Sequence, residues 1–394
     1  MEGEGNATMK RWANRAVAAA GVWALGWTLG CGNFWVYPRS TNNGGSGSSG
    51  GDYAYVANAT TGNLAGFAIG SGTLTAVSGS PYSLGFIPTA VAVNPENTMV
   101  FVAGASGGNG YINAYSIGSG GALTLLANNN LFLSDVVSMD VSPDGQWLMG
   151  LDASGAATGV ATLDEFSISS NGQLTLASGA AESAVSGAGA VSPRAVKFAP
   201  NGDYVFAALG TAGDMVFSFN TSNGSLTYQG SLRLFSGSGT SDNALAVSSA
   251  STYLFVARSG TGGGLAVYSI GNNGALAQVG STTAAGNQPF SVVVNKAGTD
   301  VYVANQLDST ISGYSVSSAG ALTALSSSPY NSGKNVDVVA IDNSGNYLLA
   351  TARNGSSDLT LYSYDSSVAG QLDVSSSTAT GSDPTGAVAL ATTH

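Results

Sequence analysis

Two short stretches carry the side chains best suited to chemistry, Ser192-Pro193-Arg194-Ala195 and Asn305-Gln306-Leu307-Asp308-Ser309-Thr310. A guanidinium such as Arg194 can hold a carboxylate or phosphate through two parallel hydrogen bonds, and can polarise a carbonyl. A carboxylate such as Asp308 can take a proton from water, which the Gln306 amide cannot do. An arginine and an aspartate at one opening would therefore suit ester-type hydrolysis. Other constellations are missing their key residue. The single histidine, His394, is the final residue and is expected to fray, so neither a Ser-His-Asp triad nor a histidine metal site has an imidazole. No Gly-rich stretch ends in the Lys-Ser/Thr pair of a phosphate-cradling loop. No cofactor and no metal site is implied.

These residues need elements to position them, and the chain supplies the same element set repeatedly. Pro88 to Leu126 reads as four short strands (TAVAVN, MVFVA, YINAYSI, ALTLL) separated by turn residues. The order recurs from starts near Pro88, Val137, Pro193, Asn243, Pro289, Val336 and Pro384, 46 to 56 residues apart. The chain opens at Asp52 on a second strand, YAYVAN, and stops after a first strand, PTGAVALATTH, so the two ends complete one unit. The expected fold is all-β: a seven-bladed β-propeller of four-stranded blades over residues 52–394, closed by strands from both termini. First strands are small and apolar, as crowding at a central axis demands. Second and third strands carry the Tyr, Phe and Leu that fill the gaps between blades. Asp and Asn in turns such as Ser142–Gly145 and Ala199–Gly202 read as turn residues rather than metal ligands.

In this arrangement blade entrances and the loops between second and third strands gather on one face, around the channel mouth. Asp135, Arg194, Asp242, Gln288, Gln306, Asp308, Lys334, Asp337 and Asp383 fall there and form the candidate ligand site, with Arg194 and Asp308 as the catalytic candidates.

The first 51 residues have another character. Lys10, Arg11 and Arg15 precede an apolar run, Ala16 to Gly30, too short to span a bilayer but suited to a signal-peptide core. Thr28-Leu29-Gly30-Cys31 resembles a bacterial lipobox, with Thr28 in the place usually held by Leu. This resemblance implies cleavage, lipidation of Cys31 and anchoring to a membrane through it; Gly32, in place of a retention Asp, points to the outer membrane. Residues 1–31 are thus expected to be a lipoprotein signal and 32–51 a flexible Ser/Gly/Asn tether. With 22 acidic against 11 basic side chains and a net charge of −11, nucleic acid is excluded as a partner. The chain is read as a monomer.

Tyr53 to Asn58 (YAYVAN), Val301 to Val316 (VYVANQLDSTISGYSV) and the GSLTY and GALTAL segments resemble the lactonase-type seven-bladed propellers and the related YVTN repeats. The resemblance covers essentially everything after residue 52. It implies hydrolysis of a sugar lactone, as in 6-phosphogluconolactonases. The family's G-P-R-H reads SPRA here, which keeps Arg194 and puts Ala195 in place of His; its N-E-L-D-S-T reads NQLDST, with Gln306 in place of Glu. Export would separate the protein from cytoplasmic sugar phosphates, so a lactone substrate should be unphosphorylated. Two functions follow. One is an extracytoplasmic lactonase using Arg194 and a mouth aspartate; the other is a non-catalytic scaffold holding a glycan or protein at the cell envelope.

Overall fold

The second strand of each unit carries a bulky residue at its third position, and this residue explains how the units pack. The computed structural model describes residues 51–130, 135–177, 182–183, 191–232, 239–355, 357–381 and 387–394. Cys31, the signal segment, the tether and Asp383 lie outside them. The described residues form seven antiparallel sheets of four principal strands each, running in chain order from first strand to fourth. The first strands are Ala387–Thr392 (blade 1), Ile87–Val93, Val136–Val141, Ala195–Phe198, Ser241–Val247, Pro289–Val294 and Val336–Ile341 (blade 7). Each touches the first strand of the next blade, closing a ring. The expected blade starts agree with these to within two residues, apart from Pro384, which is not described.

Alternation along the strands gives every blade two apolar faces. The third-position residues Tyr55, Phe101, Met149, Phe206, Phe255, Tyr302 and Leu349 are all buried, and each faces the following blade. Their neighbours in sequence face the preceding one: Val102 packs towards blade 1 and Leu148 towards blade 2. The apolar core is thus divided into seven clusters, one per blade interface. Two tyrosines also bridge with their hydroxyls: Tyr55 donates to Gly121 O (2.8 Å) and Tyr302 to Gly370 O (2.8 Å), each in the next blade.

Closure is the zipper that the chain ends suggested. Ala54 to Asn58 pairs antiparallel with Thr392 to Ala387, so blade 1 takes its first strand from one end of the ring sequence and the rest from the other. Buried Asn58 fastens the far end of this ladder. Its Nδ2 donates to Asn63 Oδ1 (2.9 Å) and Thr380 O (3.2 Å), and its Oδ1 accepts from Thr380 Oγ1 (2.8 Å). The matching asparagine of blade 6, Asn305, likewise donates to Thr310 Oγ1 and Ser312 Oγ and accepts from Gly286 N. The recurring V-A-N wording is therefore a loop clamp.

At the equivalent position of blade 2 stands Gly104, for a steric reason. A Cβ there would lie 2.2 Å from Ile87 O and 2.5 Å from the Phe86 ring. Gly104→Ala is expected to cost about 1–3 kcal/mol through overpacking, read from the urea midpoint. An unchanged midpoint would mean that the Phe86–Ile87 segment gives way freely. No helix among the described residues is long and apolar enough to cross a membrane.

Candidate functional site

At the face where the second-to-third-strand loops emerge, the ladder between first and second strands is bulged in six of the seven blades; blade 4 is regular. A bulge leaves a residue unpaired and re-aims its side chain. Asn243 uses this freedom to donate to Pro289 O of the next blade (2.7 Å), and Thr89 donates to Val136 O. In blade 7 the bulged residue is Asp337, and here the freed side chain builds a polar network.

Asp337 is fully buried. Its Oδ1 accepts from Gln306 Nε2 (2.6 Å), and its Oδ2 accepts from Arg353 Nε (2.8 Å) and lies 2.6 Å from Arg353 Nη2. Burial raises the Asp337 carboxyl above its ordinary range, against the pull of Arg353 and Gln306. Both of its oxygens are engaged and the side chain is shut off from solvent, so it orients its partners rather than meeting a ligand. Because Gln306 donates inward, its Oε1 is left to accept from a water or hydroxyl. The Arg353 side chain remains 38% exposed.

The surrounding loops belong to the same cluster. Gln306 N donates to Gln288 O (3.0 Å), and Gln288 itself holds a positive φ of 57°. Asp308 is exposed; its Oδ2 accepts from Asn287 N (2.6 Å), which fixes the carboxylate and leaves Oδ1 facing solvent. Asn335 links the blades, with its N donating to Ser309 Oγ (2.9 Å) and its Nδ2 to Gln306 O (3.4 Å); the adjacent Lys334 is exposed. Gln288, Gln306, Asp308, Lys334 and Asp337 are thus gathered between blades 6 and 7.

The remaining candidates are placed apart. Arg194 is exposed at the start of blade 4, and its guanidinium makes no hydrogen bond or ion pair among the described residues. Asp135 is exposed beside blade 3, where burial and the charge of Asp152 raise its carboxyl. Asp242 does not line the mouth. It is 3% exposed, in a two-pronged pair with Arg258: Nη2 donates to Oδ2 (2.9 Å) and Nε to Oδ1. Buried Asp214 of blade 4 sits against this pair. Burial first, and the Asp242 charge second, push its carboxyl well above the ordinary range, while Arg258 pulls it back.

The terminal imidazole is not frayed. Asn97 brackets the backbone of His394, accepting from its N (2.8 Å) and donating to its O (2.9 Å), and the ring Nε2 is 3.2 Å from Val93 O. This is the opposite end of the strands, so no imidazole reaches the cluster between blades 6 and 7. Among the described residues no group of three His, Cys, Asp or Glu is placed to hold a metal ion.

Arg353, Arg258 and Asp214 escaped the sequence reading. Arg258 and Arg353 close second strands whose alternation reads as ordinary apolar blade wording. The available signal was a polar residue at the sixth position of that strand: Asn58, Asp152, Arg258 and Asn305 stand there, where Leu209 and Ala352 do not. Of the chain's 11 basic side chains, Arg194, Arg258, Lys334 and Arg353 sit at this one end.

Residues 55–388 match the profile of the family described as Lactonase, 7-bladed beta-propeller. The chain belongs to this lactonase family. Solved structures agree in fold. A protein from Bacteroides fragilis provisionally assigned as a 6-phosphogluconolactonase superposes with a TM-score of 0.71 at 18% identity, over 89% of this chain and 100% of its own. A similarly assigned protein from Bacteroides uniformis gives 0.71 at 17% identity, over 87% and 99%. The periplasmic gluconolactonase PpgL of Pseudomonas aeruginosa gives 0.69 at 16%, over 87% and 99%. At these identities the likeness is one of fold. No curated protein sequence matches the chain.

Gln306, read from the sequence as standing where the resemblance implies a Glu, is the residue that Asp337 holds. Gln306 fills a hydrogen-bonding place in which a second carboxylate would sit against a buried Asp337.

Proposed function

We propose that this lactonase-family propeller hydrolyses an unphosphorylated sugar lactone outside the cytoplasm, with Asp308 as general base, Arg353 as the group that holds the carbonyl and Arg194, across the mouth, as a binding group. The observation that carries the reading is the Gln306–Asp337–Arg353 network. It commits the buried carboxylate to positioning, and leaves Asp308 as the solvent-facing carboxylate of the cluster. In the reaction, Asp308 takes a proton from water as the oxygen attacks the lactone carbonyl carbon. Charge developing on the carbonyl oxygen is met by Arg353, the partly exposed guanidinium that Asp337 holds in the same cluster, and Arg194, across the mouth at blade 4, holds a hydroxyl of the sugar ring. Collapse of the tetrahedral species breaks the ring C–O bond, and the proton on Asp308 passes to the departing alkoxide. The product is a hydroxy acid, an anion that Arg194 and Lys334, both exposed at this face, can hold. The signal-like segment, Cys31 and the tether support an outer-membrane lipoprotein.

Turnover of unphosphorylated sugar lactones by the purified protein tests this. Arg353→Ala and Asp308→Asn are each expected to lower kcat/KM by about 100-fold or more, and Arg194→Ala to act mainly by raising KM. Asp337→Asn should lower kcat by less, because it loosens Arg353 and Gln306 without removing them. Turnover of phosphorylated lactones alone would refute the extracytoplasmic substrate. The second reading, a non-catalytic scaffold for a glycan or envelope protein, is favoured by Ala195 and Gln306 at the family's His and Glu positions. No turnover across the panel, with saturable binding of an envelope glycan or protein, would establish it.

A further inference from the structure

A cleft lies away from the cluster just described, between blades 1 and 2 on the same face, with a volume of about 550 Å³. Its walls are the loop after Asn58, the segment leading into the first strand of blade 2, and the loop after Ser106. None of its lining residues is ionisable, in a chain with net charge −11. One side is apolar: Ile87 is 58% exposed, and beneath it the Phe86 ring stacks on Tyr111 with centroids 5.7 Å apart and planes 6° apart. Hydroxyls come from all three walls, with Thr60 in the blade 1 loop, Ser83 in the segment that carries Phe86 and Ile87, and Ser106 in the blade 2 loop, all in exposed residues. Gly85, Gly107 and Gly108 adopt positive φ (77°, 59° and 81°), and a Cβ on any of them would meet nothing within 4 Å. The cleft is kept open by residues without side chains, with bare backbone between hydroxyls and an apolar ledge.

We infer that this cleft binds a neutral saccharide. A sugar ring has apolar C–H faces and a rim of hydroxyls, which matches an Ile87–Phe86 ledge opposed by hydroxyls and backbone. The uncharged lining gives no ion pair to a phosphorylated or acidic sugar, and the volume lies in the range of small-ligand sites. The site is independent of the lactone reaction, because it shares no residue with Arg194, Asp308 or the Asp337 network.

The test is calorimetric titration of the full-length protein with maltose, cellobiose and di-N-acetylchitobiose. Saturable binding of at least one is expected, weakened tenfold or more by Ser106→Trp and by Thr60→Trp, which fill the cleft from opposite walls at exposed positions. Unchanged thermal unfolding in the two variants shows that they remain folded, and the lactone turnover expected above should persist in both. Ser106→Ala should retain most of the affinity. Absence of binding by all three disaccharides overturns the proposal, as does binding that neither tryptophan weakens. Gluconate competing at the cleft as strongly as the neutral sugars would also overturn it.

Discussion

Arg258→Met is expected to lower the unfolding free energy by about 3–5 kcal/mol, the usual cost of stranding one partner of a buried ion pair. The position carries so much because four ionisable groups share it, Arg258, Asp242, Asp214 and Tyr268. Arg258 is 1% exposed and grips both oxygens of Asp242, while Asp214 lies against them from the neighbouring blade. Methionine fills much of the arginine volume, so the cost reports charge rather than a cavity. Without the guanidinium, Asp242 is a buried carboxylate with only the protonated Asp214 and the Tyr268 hydroxyl beside it, and the loss should shrink at pH 4, where carboxylates take up protons. The double variant Arg258→Met, Asp242→Asn should recover a large part of the stability, since it leaves no unpaired charge. Guanidinium denaturation of the three proteins measures this. A single-variant loss below about 1 kcal/mol would show that water reaches the pair.

The second large effect is a rise in thermal stability on acidification. Burial lifts Asp164 to about 6 and Glu165 to about 7, and lifts Asp214 well above its ordinary range. Asp52 is likewise raised to about 7 by burial and by neighbouring Asp342. Each raised carboxyl keeps a proton in the folded chain that the unfolded chain has released. Stability from these groups is therefore greatest below about pH 4 and is lost as pH climbs through 6 to 7. His394 acts the other way, because burial lowers its pKa and its contribution fades as pH falls below its unfolded value of 6.5. Several carboxyls against one imidazole leave a net gain, so Tm at pH 5 should exceed Tm at pH 8 by about 5 °C. Glu165→Gln and Asp214→Asn together should flatten the profile. A Tm that is flat or rises towards pH 8 in the unaltered protein would contradict these assignments.

How much of this the sequence revealed depends on whether a feature is local. Blade starts, the composite blade and the small inner strands were legible because alternation and turn residues act over a few positions, and the match is close at Pro289 and Val336. Gln306 and Asp337 were legible as strand-end residues of one face, although Asp337 is buried beneath it. Their mutual bond was not, because it joins positions 31 apart in neighbouring blades. Asp242 is the instructive case. It occupies the same strand-end place as Pro88 and Pro289, yet a bulge and an arginine sixteen positions along draw it into the interior. Arg353 and Arg258 were overlooked because a basic residue closing an apolar strand has no local signature; only the carboxylate opposite gives it a role.

The zipper in blade 1 also sets the order in which the molecule can be made. Tyr53 N donates to Thr393 Oγ1 across a separation of 340 residues, so the first segment of the ring to be synthesised must wait for almost the last. Until then Tyr53–Asn58 has one bare edge, and six blades exist as an open arc with an apolar face at each end. Loop closure over such a distance is slow compared with forming any single blade. Completion of the ring is thus a late event of biogenesis, and helpers that shield exposed strand edges would act on the arc rather than on the finished wheel.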